Sequence, residues 1–256
     1  MKVVIIGTGN AAHVLARKIA QTNHQLLQVV GRDPINTEKM ARILGVEFTN
    51  TVSHIRQHAD IYIVAIADDA LTSINEWLQL ERRLVVHTAG SVSKHVLKGV
   101  SKNYGVLYPL QSLKAGVEVL PEIPFLVDGN TADDLALIKD FASDLSDRVV
   151  VADDEARLKM HVAAVFVNNF SNHLYALAER YCKTEHLSFD LLLPLIQETA
   201  NRLSTISPAD AQTGPAARGD QSTIKKQMEI LNAHPQLQNI YEAMTESIET
   251  FFGLQS

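Results

Sequence analysis

Residues 2–20 read KVVIIGTGNAAHVLARKIA, and this stretch decides the fold. A continuous β-branched run ends in glycines, and an amphipathic helical pattern follows from Asn10 to about Gln21. Gly7, Gly9 and Ala12 form G-x-G-x-x-A at that junction. Gly7 permits a tight turn, Gly9 lets a pyrophosphate approach the backbone, and Ala12 lets helix and strand pack closely. The free amides of the first helical turn, with Thr8, Asn10 and Ala11 around them, then face the diphosphate. A lone G-x-G is a weak sign and can be a mere tight turn. Here it has the strand–turn–helix context that a dinucleotide site needs.

Outward from this stretch, β-branched runs alternate with helical patterns, the mark of a mostly parallel α/β sheet. Strands are expected at 2–7, 26–31, 46–48, 61–67, 84–88, 105–108, 125–128 and 148–152. The runs VVII and IYIVAIA are continuously apolar, as when helices cover both faces of the sheet. After Ala152 the strand signal stops. Helices are expected over 154–183, 188–206, 220–232 and 235–252, with a loop SPADAQTGPAARGD between the second and third. The expected organisation is a Rossmann-like dinucleotide domain over 1–152 and an all-α domain over 153–256.

Composition excludes other classes. The chain has 256 residues, 46% apolar and 20% charged, with a net charge of -6. That balance argues against a general nucleic-acid binder, which carries a basic face. No apolar run approaches the roughly 20 residues a membrane span requires, and no secretory leader is read at the start. A single cysteine, Cys182, offers neither an internal disulfide nor a zinc cluster. The expectation is a reduced, cytoplasmic protein with no nucleic acid, membrane or metal among its partners.

The second strand ends in VVGRDP. An NAD site usually carries an acid there for the ribose 2′-hydroxyl. Here Gly31 leaves room and Arg32 can fork onto a 2′-phosphate, which favours NADP. The other readings make Arg32 a solvated turn residue and give Asp33 either the ribose or, with Pro34, a turn. Ligands of open α/β sheets lie beyond the carboxyl ends of strands, so Ala67 and Thr88 should border the nicotinamide. Ser91 is read as a cap for the next short helix. His87 is either a donor near the nicotinamide or a satisfied core histidine.

With GTGNAA, VVGRD, VAIADDAL, VVHTAGSVS, LYPLQSL, KMHVAAVFVNNF and QTGPAARGD in hand, the chain resembles a little-characterised family of NADP oxidoreductases over its whole length. In that family a Rossmann-like domain precedes a helical domain of unknown function. The family is related to pyrroline-5-carboxylate reductase, ketopantoate reductase and the β-hydroxyacid dehydrogenases, and its helical part is similar to the C-terminal domain of 6-phosphogluconate dehydrogenase. The resemblance implies NADPH as cofactor, hydride transfer to a small carbonyl or imine, and pairing of the helical domains into a homodimer. The other class of function is an NADP-binding redox sensor that performs no turnover.

The chain departs from one relative. The β-hydroxyacid dehydrogenases use a lysine with an asparagine four residues later on the equivalent helix, but here Lys159 is followed at that spacing by Ala163. At roughly 100° per residue, His161, Asn168 and Asn172 form a polar stripe with Asn169 about a quarter-turn away. His161 and Asn169 are therefore read as substrate-cleft groups, or else as helix-to-helix hydrogen-bonding residues. QTGPAARGD resembles the substrate loop of pyrroline-5-carboxylate reductase, in which Arg218 can hold an anion and Asp220 can cap the following helix; the other reading is a short capping loop alone. His54 and His58 have helical i, i+4 spacing without a third ligand nearby, so an exposed helix face is the better reading. Cys182 is read as a spectator.

Overall fold

In a computed structural model, which describes residues 1–254, the β-branched runs pair into one sheet. The strands are β1 (Lys2–Ile6), β2 (Gln25–Val30), β3 (Glu47–Thr49), β4 (Ile61–Val64), β5 (Leu84–His87), β6 (Tyr104–Pro109), β7 (Phe125–Gly129) and β8 (Val149–Val151). Their order is β3-β2-β1-β4-β5-β6-β7-β8. Every pair is parallel except β6 with β7, which run antiparallel. The chain leaves β1 towards β2 and returns on its other side as β4, so the strand order reverses between β1 and β4. That reversal opens the crevice in which ligands of such sheets lie.

Side chains alternate between the two faces. Val3, Ile5, Ile61, Ile63, Val86, Leu107 and Phe125 pack against α1 (Asn10–Ile19), α2 (Pro34–Leu44) and α4 (Ala132–Ser143), where α3 is the single turn Asp68–Leu71. Val4, Ile6, Tyr62, Val64 and Val85 face the other way, towards Leu71, Ile74 and Leu97. Leu15 and Ile19 of α1 are wholly buried, each stabilising the fold by about 1.5–3 kcal/mol. The segment 111–122 covers the sheet where a helix would otherwise lie. Its Leu113 and Leu120 join the first core, and it is tied to α1 by Ala115 N donating to Asn10 Oδ1 at 2.9 Å and Arg17 Nη2 to Glu118 O at 2.9 Å.

The chain divides into two compact units, Met1–Asn168 and Asn169–Ser256. The division falls inside the long helical run rather than at the composition change after Ala152. That run begins as α5 (Asp154–Ala164), capped by Asp153 Oδ1, which accepts from Ala156 N at 2.8 Å. It continues through a π-helical segment, Val165–Phe170, into α6 (Ser171–Thr184). A π segment bonds each residue to the fifth beyond and adds about one residue to the turn. The unbroken wheel that aligned His161 with Asn168 and Asn172 therefore does not hold, and the expected stripe is corrected.

The second unit holds α6, α7 (Leu193–Arg202), α8 (Pro208–Ala211), α9 (Gln221–Leu231) and α10 (Pro235–Phe251). The stretch read as a plain loop contains α8 and a 3-10 turn at Ala216–Arg218. Asp220 caps α9 as expected, accepting from Thr223 N at 3.1 Å. α9 and α10 are tied by Gln221 Nε2 donating to Glu249 Oε1 at 2.7 Å, and α10 reaches α6 through Arg180 Nη2 on Gln236 Oε1 at 2.5 Å. No helix among the described residues is long and apolar enough to cross a membrane.

Candidate functional site

The β1–α1 turn has the geometry that its glycines require. Gly7 has φ +129°, and a Cβ there would lie 2.1 Å from the carbonyl oxygen of Ala65, so only glycine fits. Gly9 caps α1 in an extended conformation without any side-chain capping bond, and the first turn carries no acid. A Cβ on Gly9 would meet nothing within 4 Å. This open approach to uncapped helix amides is the space and chemistry that a dinucleotide diphosphate needs. Thr8 and Ala11 flank the turn. The Asn10 side chain is engaged by Ala115, which leaves its backbone for the turn itself.

At the end of β2 the structure corrects one expectation. Gly31 does not leave room for a phosphate: a Cβ there would sit 2.3 Å from Thr37 Oγ1 and 2.6 Å from Thr8 Cγ2. Its smallness serves the packing of the cofactor turn against α2. Asp33 is committed to capping α2, accepting from Ile35 N at 2.9 Å, with Pro34 as the first helical residue. Arg32 is exposed and makes no hydrogen bond or ion pair among the described residues, so it is free to meet an anion beside the cradle.

The carboxyl ends of β4, β5 and β6 bring polar groups together. Ala67 is exposed at the start of α3, and Thr88 is half-buried after β5, its N–H on Val64 O at 3.2 Å. Ser91 Oγ donates to Asp68 Oδ2 at 2.6 Å. Ser91 is therefore not the expected cap; Ser93 is, accepting from His95 N at 3.3 Å. Tyr108, near the end of β6, lies 2.9 Å from His161 Nδ1 through its Oη, with the two rings edge to face at 5.9 Å. A Cβ at Gly90 would come within 2.8 Å of both Tyr108 Cζ and His161 Nδ1, so the β5 turn presses directly on the pair. Burial and then the Asp68 carboxylate push the Tyr108 phenol above its usual range, while Arg157 opposes them.

Arg157 fixes the helix that carries His161. It is 1% exposed, donates through Nη2 to Val92 O at 2.5 Å and pairs with Asp154 Oδ1 at 2.7 Å. Burial alone would raise the Asp154 carboxyl, but hydrogen bonds from Ser93, Arg157 and Lys94 N outweigh it and hold it at about 2. Lys94 continues the chain of contacts, donating to Asp128 Oδ2 at 2.8 Å. One turn after Arg157, His161 is thereby set against Tyr108.

His87 belongs to this support and not to a reactive surface. It is 0% exposed, and its Nδ1 accepts from Ala89 N at 3.2 Å. Its Nε2 has no partner within hydrogen-bond geometry, although the Ser93 backbone lies near enough to favour a proton. Burial and the Arg157 guanidinium nevertheless lower its pKa to about 4. The expectation of a proton donor beside the nicotinamide is corrected: a wholly buried, neutral imidazole has no access to a bound molecule.

The remaining expected residues lie elsewhere. Asn169 and Arg218 belong to the second unit, where both are exposed, Asn169 in the π segment and Arg218 in the 3-10 turn before Gly219. Lys159 is on an exposed face and pairs with Glu155 Oε1 at 2.5 Å, so it supplies no dehydrogenase lysine. His54 ends a 3-10 turn and His58 lies beyond it, so their helical spacing is not realised. Tyr108 and Arg157 were not singled out from the sequence. LYPLQSL marked the region of Tyr108, but only the pairing across 53 positions gives the phenol a role.

A glycine turn at the switch point of a doubly wound sheet, followed by a separate helical unit, defines a dinucleotide-dependent oxidoreductase class. Residues 2–90 match the family model described as NADP oxidoreductase, coenzyme F420-dependent, and residues 123–248 match a domain of unknown function, DUF2520. A crystal structure from Bacteroides fragilis, provisionally described as an NADP oxidoreductase, is 38% identical, with TM-score 0.90 over 97% of this chain and 98% of that one. The chain belongs to this NADP oxidoreductase family. At 13% identity it shares its fold with a 1-pyrroline-5-carboxylate reductase from Streptococcus pyogenes, with TM-score 0.66 over 98% of each chain. At 17% identity it shares the fold of an imine reductase from Myxococcus stipitatus in complex with NADP+, with TM-score 0.62 over 98% of this chain and 93% of that one. No curated protein matches it.

Proposed function

We propose that the chain is an NADP-dependent reductase acting on a small carbonyl or imine. The observation that carries this reading is the shared location of its two parts. The open diphosphate turn at Gly9 and the Tyr108–His161 pair both lie at the carboxyl edge of one sheet. NADPH, when bound, supplies the hydride. The chain's own residues hold and protonate: the α1 amides take the diphosphate, Arg32 the 2′-phosphate, and Ala67 and Thr88 line the nicotinamide ribose. His161 gives a proton to the developing alkoxide or amine. A fold shared with an imine reductase and a pyrroline-5-carboxylate reductase supports a C=N or C=O acceptor.

The test is to titrate the protein with NADPH, NADH and reduced coenzyme F420, then to offer a panel of small ketones and cyclic imines with the cofactor that binds. NADPH-dependent formation of an alcohol or amine is expected. Tight NADPH binding with no product from any acceptor, together with a partner bound only in one redox state, would replace the reductase by a sensor.

Arg32→Ala should weaken NADPH binding by about 10- to 150-fold and leave NADH nearly unchanged, because one charge-assisted contact is lost. Equal weakening of both cofactors would remove Arg32 as the phosphate selector.

The same reading includes a homodimer built through the helical unit. Leu187, Leu191, Leu195, Leu203, Ile206 and Ile230 are each at least 41% exposed there, while among the described residues its buried apolar ones are Leu177, Cys182, Ala216, Ile224 and Leu231. So much open apolar surface on a small helical unit favours a second copy as its cover. Sedimentation should give a dimer at micromolar concentration. A monomer whose cofactor affinity is unchanged on dilution would contradict the dimer.

A further inference from the structure

The geometry points to Tyr108 as the positioning residue that reserves one nitrogen of His161, Nε2, for proton exchange with a bound molecule. This rests on the reductase reading of the site and adds to it the identity of the donating atom.

Nδ1 of His161 is 2.9 Å from Tyr108 Oη. Among the described residues Nε2 makes no hydrogen bond, and it is not shut away from water, so it reaches solvent. The edge-to-face packing of the two rings and the press of Gly90 against both leave little freedom to turn the imidazole over. Tyr108 has one proton and two acceptor lone pairs, and it can therefore satisfy Nδ1 in either charge state. In neutral His161 that has given up its Nε2 proton, the Nδ1–H donates to Tyr108 Oη and leaves the Nε2 lone pair open. In the imidazolium the same Nδ1–H donation persists and Nε2 carries the second proton. In both states Nδ1 is occupied, and the nitrogen with an exchangeable site is Nε2.

The proton step balances without help. The imidazolium N–H bond at Nε2 breaks, its electron pair stays on nitrogen, and the proton bonds to the alkoxide oxygen or amine nitrogen of the product. The ring is left neutral with its remaining proton on Nδ1, still donated to Tyr108 Oη, and Tyr108 keeps its own proton. Asp68, held by Ser91, and buried Arg157 are the charges nearest this pair. The carboxylate disfavours a tyrosinate beside it, which keeps the phenol a hydrogen-bond partner and not a proton source.

The test uses the full-length protein and reads nitrogen-15 chemical shifts of the His161 ring, assigned by comparison with His161→Asn. Wild type is expected to show the Nδ1–H tautomer when neutral, and Tyr108→Phe, which keeps the ring in place, to lose that preference. With NADPH and pyrroline or cyclohexanone as probes, Tyr108→Phe should lower kcat about tenfold, the loss of one hydrogen bond, with the KM for NADPH unchanged. An Nε2–H tautomer in neutral wild type would overturn the assignment even if the variant failed to fold. So would the same Nδ1–H preference in both proteins. Absence of turnover in wild type with the Nδ1–H tautomer intact would remove the reductase reading and leave the assignment of Tyr108 standing.

Discussion

Replacing His161 by asparagine is expected to lower turnover by about 10²–10⁴-fold, the range for loss of a general acid, with NADPH affinity and melting temperature nearly unchanged. The expectation follows from where the ring sits. His161 is half-buried, with a single side-chain hydrogen bond among the described residues, to Tyr108, and an Nε2 that reaches solvent. Losing that bond costs the fold only about 1 kcal/mol, a few degrees in melting for a chain of this size. Asparagine cannot exchange a proton at neutral pH, so the chemical step carries the loss. Unchanged turnover would end the catalytic role, and a collapse in melting alone would return His161 to the structural core.

The second large effect is on stability in acid. His87 titrates near 6.5 when unfolded and at about 4 when folded. Above pH 6.5 both states are neutral and the residue makes no pH-dependent contribution. Below it the unfolded chain takes up a proton that the folded chain refuses, so stability falls with pH until about 4 and then levels. Each pH unit in that window is worth about 1.4 kcal/mol, which gives a loss on the order of 3 kcal/mol from this one ring. In His87→Asn the amide oxygen takes the place of Nδ1 as acceptor for Ala89 N and does not titrate. Denaturant unfolding at pH 7 and at pH 4.5 should show a much smaller acid loss in the variant. An equal loss in both proteins would place the acid sensitivity elsewhere.

What was legible in the sequence was what short-range chemistry determines. The eight β-branched runs all became strands, and the strand–glycine–helix junction at Gly7 and Gly9 gave the cofactor turn because only glycine tolerates the backbone there. Asp220 was recognisable as a cap from its place before a helical pattern. Properties set by distant partners were not legible. Arg157 looks like one more charged residue of a solvated helix face until Val92 and Asp154 enclose it. Gly31 suggested space for a phosphate, but Thr8 and Thr37 fill that space from two other elements. The π segment at Val165–Phe170 defeats any wheel drawn at a fixed angle, since its wider turn has no compositional mark. Tyr108 became a site residue only when the fold set it against His161.

Under the proposed function, the carboxyl edge of the first unit's sheet is expected to bind NADPH and pass its hydride to a small C=O or C=N acceptor. The most direct measurement uses NADPH carrying deuterium at the transferable position of the nicotinamide, incubated with the protein and the panel of ketones and cyclic imines, with products read by mass spectrometry. The predicted result is one deuterium on the former carbonyl or imine carbon, formed in step with NADPH consumed and strongly reduced in His161→Asn. Saturable NADPH binding with no deuterium in any product would contradict it, and labelled product formed equally well by His161→Asn would remove His161 from the proton step.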